Sequence, residues 1–126
     1  MRSEFIDKIN LLLEKDRKAV LSTCGPAGVQ AGLFACHYQE GVFFVLVPSI
    51  ADILDNLSMG CEVLATAPGW QMNGIAILCP SGEQSEIFPE IYQLDASHYN
   101  LVKIKPRRIQ LSPHNGWGFA ETIDFE

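Results

Sequence analysis

Val42-Phe43-Phe44-Val45-Leu46-Val47-Pro48-Ser49 is the stretch on which the fold turns. Its apolar run, from Val42 to Val47, is dominated by β-branched and aromatic residues and does not alternate with polar ones, so it predicts a strand covered on both faces. Pro48, without an N–H, ends the run, and Ser49 reads as a helix N-cap. Ile50, Ile53, Leu54 and Leu57 recur at helical spacing, Asp52 stands in the first turn and Gly60 is a stop signal. Residues 49–59 therefore predict a short amphipathic helix.

On the N-terminal side, Gln39-Glu40-Gly41 makes a turn, and Val29–Tyr38 and Ala19–Cys24 read as two strands around Gly25-Pro26-Ala27-Gly28. That spacing predicts a hairpin with a longer loop. Before it, Phe5, Ile6, Ile9, Leu12 and Leu13 give one apolar face to a helix over about residues 3–18, with Ser3 as its cap, Glu4 and Asp7 at its positive end and Lys15, Arg17 and Lys18 at its negative end. On the C-terminal side, Cys61–Ala67 and Trp70–Leu78 predict two strands around Pro68-Gly69, and Pro80-Ser81-Gly82 closes the second. Residues 83–99 read as a polar connection with a short helix. Leu101–Leu111 alternates apolar and basic side chains, as a strand with one face in solvent does, and the segment ending Ile123-Asp124-Phe125 predicts a final strand. Many short strands with few helices point to a mainly β fold, a β-barrel rather than a doubly wound sheet, in a single domain over residues 1–126, with the barrel from about residue 19.

Charge narrows the functions open to such a domain. The net charge of −6 leaves no basic face for nucleic acid, so that partner is not expected. No apolar run reaches the ~18–20 residues of a membrane helix and the N-terminus lacks the order of a signal peptide, so a cytoplasmic protein with no membrane partner is expected. Cys24, Cys36, Cys61 and Cys79 have no CxxC spacing and read as reduced core residues. His37, His98 and His114 show no metal-ligand spacing, and no metal site is expected. No nucleophile with an adjacent base is legible. The basic residues are confined to the two ends: none lies between Ala19 and Val102. An anion held by that interval must rely on backbone amides, hydroxyls or charge brought from the flanks. The helix start at Ser49 offers such amides, with Asp52 opposing an anion there.

The sequence resembles the pyridoxamine 5′-phosphate oxidase-like, FMN-binding split-barrel proteins over most of its length. The resemblance lies in the order of Arg17-Lys18-Ala19-Val20-Leu21-Ser22-Thr23, Gly41-Val42-Phe43-Phe44, Asn56-Leu57, Gln71 with Gly74-Ile75-Ala76, and Ile104-Lys105-Pro106. It implies a split β-barrel, a homodimer holding FMN in clefts between subunits, and a flavin-dependent oxidoreductase acting on an unidentified small molecule. Carried over by position, Leu21, Ser22 and Thr23 would line the flavin, Val47, Pro48 and Ser49 would flank the ribityl-phosphate, Asn56 belongs to the helix motif, and Gln71 would reach from the facing subunit. Trp70 and Trp117 would either stack on the ring or pack in the core or dimer interface.

Departures from the family pattern keep other readings open. Ile53 stands where relatives place a lysine, and Ser58 and Glu62 replace basic residues, so Arg17, Lys18 or the Lys103–Arg108 strand must supply charge for a phosphate. The alternative is a split barrel that has lost flavin affinity and serves as a binding or structural protein. The helix is also similar to the haem-utilisation branch, with Ile53 in place of its histidine, so a haem-binding relative is a further reading. Trp117-Gly118-Phe119-Ala120-Glu121-Thr122 contains no arginine, which argues against an authentic pyridoxamine 5′-phosphate oxidase.

Overall fold

A computed structural model describes residues 2–39, 41–79, 88, 98–111 and 121–125. In chain order the elements are α1 (Arg2–Lys15), β1 (Lys18–Gly25), β2 (Gly28–Gln39), β3 (Val42–Pro48), α2 (Ile53–Leu57), β4 (Glu62–Ala67), β5 (Trp70–Leu78), β6 (Tyr99–Leu111) and β7 (Glu121–Asp124). The strands form one antiparallel sheet in the order β3-β2-β1-β4-β5-β6-β7, and β3 also pairs with β6, closing a six-stranded barrel with β7 added outside β6. The mainly β barrel expected from the strand pattern is the fold observed. The barrel closes along Phe43↔Ile104 to Pro48↔Tyr99, and the Val42–Val47 run is apolar on both faces because side chains pack against both. Phe43, Val45 and Val47 enter the barrel, while Leu46 packs outside it with Phe88 and Leu101.

Inside the barrel, alternate residues of every strand meet: Leu21, Cys36, Val45, Val63, Met72, Ile104 and Ile109 share one core with Trp70 and Phe43, whose rings cross edge to face. The helices reach this core near opposite ends of β1. At its start, Ile9 and Leu13 of α1 are buried, Leu11 points to solvent, and the indole N–H of Trp70 donates to the Asp16 carboxylate at 2.8 Å. The apolar face read from the sequence is thus the buried one, although the side chains of Ser3, Glu4, Phe5 and Ile6 lie outside the described residues. At the other end Ile53 and Leu57 of α2 are buried, and Asn56 reaches the β1–β2 turn.

Three expectations are corrected. The β1–β2 connection is tight rather than long: Gly25 pairs with Gly28, leaving Pro26 and Ala27 as the loop. It is held short from a distance, because Asn56 accepts the Ala27 N–H at 2.8 Å and donates to the Gly28 carbonyl at 2.9 Å. Second, the helix predicted over 49–59 shrinks to α2, with Asp52 rather than Ser49 at the cap position. The Ser49 N–H is instead paired with the His98 carbonyl at 2.8 Å, and the Ala51 N–H turns back to Pro48. Third, the cysteines are not all core residues: Cys36 is buried, Cys61 and Cys79 are half-buried, and Cys24 is exposed. The predicted connection over 83–99 lies largely outside the described residues; within it, Phe88 is fully buried.

One break in the sheet has chemical consequences. Asn73 pairs with Arg108 but Gly74 pairs with Pro106, so Arg107 is the extra residue of a β-bulge. Up to that point Lys103 and Lys105 face solvent in alternation with Ile104 and Pro106; at the bulge Arg107 and Arg108 are exposed in succession. Gly74 permits the close approach, since a Cβ there would stand 2.5 Å from the Lys105 carbonyl oxygen.

Candidate functional site

Strand alternation divides the residues implicated by the resemblance into two groups. Leu21 and Thr23 point into the barrel, where Thr23 Oγ1 lies 3.1 Å from Cys61 Sγ. A ligand on the outer surface would therefore meet β1 through Val20, Ser22 and Cys24 and not through these two side chains. On that outer face Val20 stands opposite Leu33 of β2 and Thr66 of β4. Thr66 stands opposite Gln71 of β5, and Gln71 opposite Gln110 of β6. Val20 is 38% and Leu33 63% exposed, an apolar pair on open sheet surface bordered by the uncharged Ser22 and Thr66 and, at one edge, by Lys18. Ser22 lies one pleat further along, in a row with Ala31, Leu64 and Asn73. Gln71 Nε2 donates to Gln110 Oε1 at 3.3 Å.

The remaining candidates are spread more widely. Val47 is fully buried, Pro48 is half-buried against Tyr99 of β6, and Ser49 accepts a hydrogen bond from the Asn100 side-chain amide at 2.9 Å. The amides expected to meet an anion are committed: those of Ser49, Ala51, Leu54 and Asp55 all bond to backbone carbonyls. Those four amides are therefore not open to a phosphate. Asn56 has both ends of its amide engaged by the β1–β2 turn, and Ile53 is turned into the core. Trp70 is a core residue whose N–H is satisfied by Asp16, not a surface platform. Trp117 lies outside the described residues.

At the start of β1 the two flanking cations differ. Arg17 donates to His37 Nδ1 at 2.8 Å and lies 5.8 Å from the Phe88 ring centroid, a cation–π contact. Since guanidinium only donates, this bond assigns His37 Nδ1 as acceptor and leaves its Nε2–H to donate to Gln39 Oε1 at 3.3 Å. Lys18 is exposed at the edge of the same outer face, opposite Ala35.

Burial governs the thiol and phenol, and a surface hydrogen bond governs the ion pair. Burial pushes the Cys36 thiol up to about 12, with the Asp16 charge adding to the rise and Arg17 opposing it. Burial likewise raises the Tyr38 phenol, helped by Glu14. Arg108 and Asp124 form a surface ion pair, Nε to Oδ1 at 2.6 Å; the hydrogen bond holds the carboxyl below the usual carboxylate range and raises the guanidinium. No cluster of metal-ligating side chains occurs among the described residues, and none of their helices is long and apolar enough to cross a membrane.

No family model and no curated protein sequence matches the chain. Solved structures do. General stress protein 26 from Bacillus anthracis superposes with a TM-score of 0.74 over 97% of this chain and 99% of its own, at 16% identity. The chain has the split-barrel fold of the pyridoxamine 5′-phosphate oxidase-like proteins. A Clostridium acetobutylicum protein related to general stress protein 26, of the pyridoxinephosphate oxidase family, matches this split barrel with a TM-score of 0.73 over 98% of the chain and 94% of its own, at 14% identity. A haem-binding protein from Mycobacterium smegmatis gives 0.65 over 86% of the chain and 52% of its own, at 16% identity.

Sequence reasoning named the Lys103–Arg108 strand as a source of charge but missed the bulge that puts its two arginines side by side. Arg107, Arg108, Asn73, Gln110, Glu62 and Asp124 surround a cleft of about 390 Å³ on the outer face of β4 to β7. The available signal was a change of parity: apolar residues fall on Ile104 and Pro106, then on Ile109 and Leu111. An unbroken strand keeps one parity, so an extra residue had to lie between Pro106 and Ile109.

Proposed function

We propose that this split barrel is a homodimeric flavin-binding protein that acts as an oxidoreductase on a small molecule. The observation that carries the reading is the exposed Val20–Leu33 pair within an uncharged polar border of Ser22, Thr66 and Gln71. An apolar sheet surface of this kind suits a planar ring on one side and a second subunit around it. The residues present fit the ring better than the phosphate. Ser22 and Gln71 would orient the ring edge through hydrogen bonds, Val20 and Leu33 would cover its face, and Lys18, exposed at the edge of that face, would meet a phosphate. When bound, flavin supplies the electron transfer, which no side chain here could supply by itself. Arg17 would act indirectly, through its contacts with His37 and Phe88.

The test is the visible spectrum of the purified protein, followed by titration with FMN and riboflavin. We expect both to bind, FMN several-fold more tightly, with Lys18→Ala removing the difference. Failure of both to bind removes the oxidoreductase reading. The second reading, a split barrel without flavin affinity, is favoured by the committed backbone amides of Ser49, Ala51, Leu54 and Asp55. A haem ligand at Ile53 has no support in its side chain, which is buried in the core.

A further inference from the structure

Further around the outer face that carries Val20 and Leu33, the bulge in β6 gathers charge of its own. A regular strand would send Arg107 and Arg108 to opposite faces; the bulge puts both in solvent on the same side. Their roles then diverge. Arg108 is locked to Asp124 by contacts of 2.6 and 3.4 Å, so its charge is spoken for. Arg107 is fixed through its backbone, its carbonyl accepting the Phe125 N–H at 2.7 Å, while its guanidinium makes no ion pair among the described residues. It lines the cleft of about 390 Å³ and also a neighbouring hollow of about 160 Å³ formed with Ile75, Lys105 and Pro106.

What these recesses offer a ligand is mainly positive charge and N–H groups. Gln110 has its Oε1 engaged by Gln71, so its amide N–H groups are what remain for a ligand. In the cleft itself Arg107 and Arg108 balance Glu62 and Asp124; with Arg108 and Asp124 paired, Lys105 of the adjoining hollow tips the charge around Arg107 to positive on a chain of net charge −6. The cleft volume lies within the range of small-molecule sites. Arg107 stands where its planar fork can take an oxyanion bidentately, and Ile75 and Pro106 beside it offer apolar surface to the body that carries it.

We propose that the bulge cleft binds a small organic oxyanion, a carboxylate or a phosphate monoester, through the guanidinium of Arg107. Lys105 adds charge from the adjoining hollow, Gln110 donates to the oxyanion, and Glu62 in the cleft limits the site to ligands of low negative charge. The site goes beyond the flavin reading and stands without a flavin.

Calorimetric titration of the full chain with inorganic phosphate, phenyl phosphate and benzoate, at constant ionic strength, tests it. Saturable binding of phenyl phosphate or benzoate, tighter than that of inorganic phosphate, is expected. Arg107→Gln should weaken it at least about tenfold, as loss of a charged bidentate contact does. Phenyl phosphate binding more tightly assigns the phosphate ester, and benzoate binding more tightly the carboxylate; either supports the site. Arg107 is exposed, so the variant is expected to fold with an unchanged circular dichroism spectrum. Absence of saturable binding by all three, or equal affinity in Arg107→Gln, overturns the proposal.

Discussion

A Cβ on Gly25 would stand 2.6 Å from Oδ1 of Asn56, the same oxygen that accepts the Ala27 N–H. The helix motif residue and the glycine ending β1 are thus one device. The missing side chain at residue 25 lets a buried amide reach across to the β1–β2 turn and hold it at two residues.

Asn56→Ala removes both hydrogen bonds and leaves the Ala27 and Gly28 backbone groups beside a void; a loss of about 2–4 kcal/mol is expected from lost bonds and cavity together. Gly25→Ala forces the amide aside at a cost of about 1–3 kcal/mol. Because both act on one contact, the double variant should lose clearly less than the sum. Urea unfolding of the three variants measures this. Additive losses would separate the two residues.

Trp70→Phe keeps the ring in the core but removes the donor to Asp16, the bond that ties the end of α1 to the turn between β4 and β5. A hydrogen bond to a charged acceptor is worth about 1.5–3 kcal/mol, and a loss of that size is expected. Asp16→Asn, which keeps an acceptor oxygen, should lose less. Chemical denaturation of both variants distinguishes them.

Thiol reactivity should follow exposure. Cys24 is exposed and is expected to alkylate in the native protein, whereas Cys36, buried and bonded to the Asp16 carbonyl at 3.4 Å, should react only on unfolding. Mass spectrometry of iodoacetamide-treated native protein reads both. The raised Cys36 thiol also contributes stability that is complete below its ordinary value of 9.0 and is lost as pH rises toward about 12. Cys36→Ala should therefore lose less stability than the parent between these limits.

The Arg108–Asp124 pair works in the opposite direction. The folded Asp124 carboxyl lies below its ordinary value of 3.8, so its contribution is complete above that value and disappears as pH falls through the depressed one. The pair is exposed, and its effect on stability should be small and screened by salt. NMR titration of the Asp124 carboxyl should give a midpoint below that of an unpaired aspartate, returning toward it in Arg108→Gln. An unshifted midpoint in the parent would show that the ion pair does not persist in solution.

Much of the architecture was legible because polarity is periodic along the chain. Ile9, Leu12 and Leu13 announced the buried face of α1, and the unbroken Val42–Val47 run announced the strand at which the barrel closes. Trp70–Leu78 was read at its observed bounds, since Pro68-Gly69 punctuates the chain on one side. The functional surface was less legible. The motif Leu21-Ser22-Thr23 reads as a continuous contact, yet the pleat sends Leu21 and Thr23 inward and only Ser22 outward.

By itself the sequence determined which segments are strands, which helix face is apolar and where positive charge is absent, because these depend on side-chain chemistry and local spacing. Tertiary structure alone decided that Ser49 begins no helix, that Asn56 serves the β1–β2 turn, and that Arg107 is the extra residue whose displacement puts it on the same face as Arg108. Each depends on a partner remote in sequence: the His98 carbonyl for Ser49, Ala27 and Gly28 for Asn56, and β5 for the bulge. Whether a backbone N–H is open to a ligand is settled only when every competing acceptor has been brought to its place.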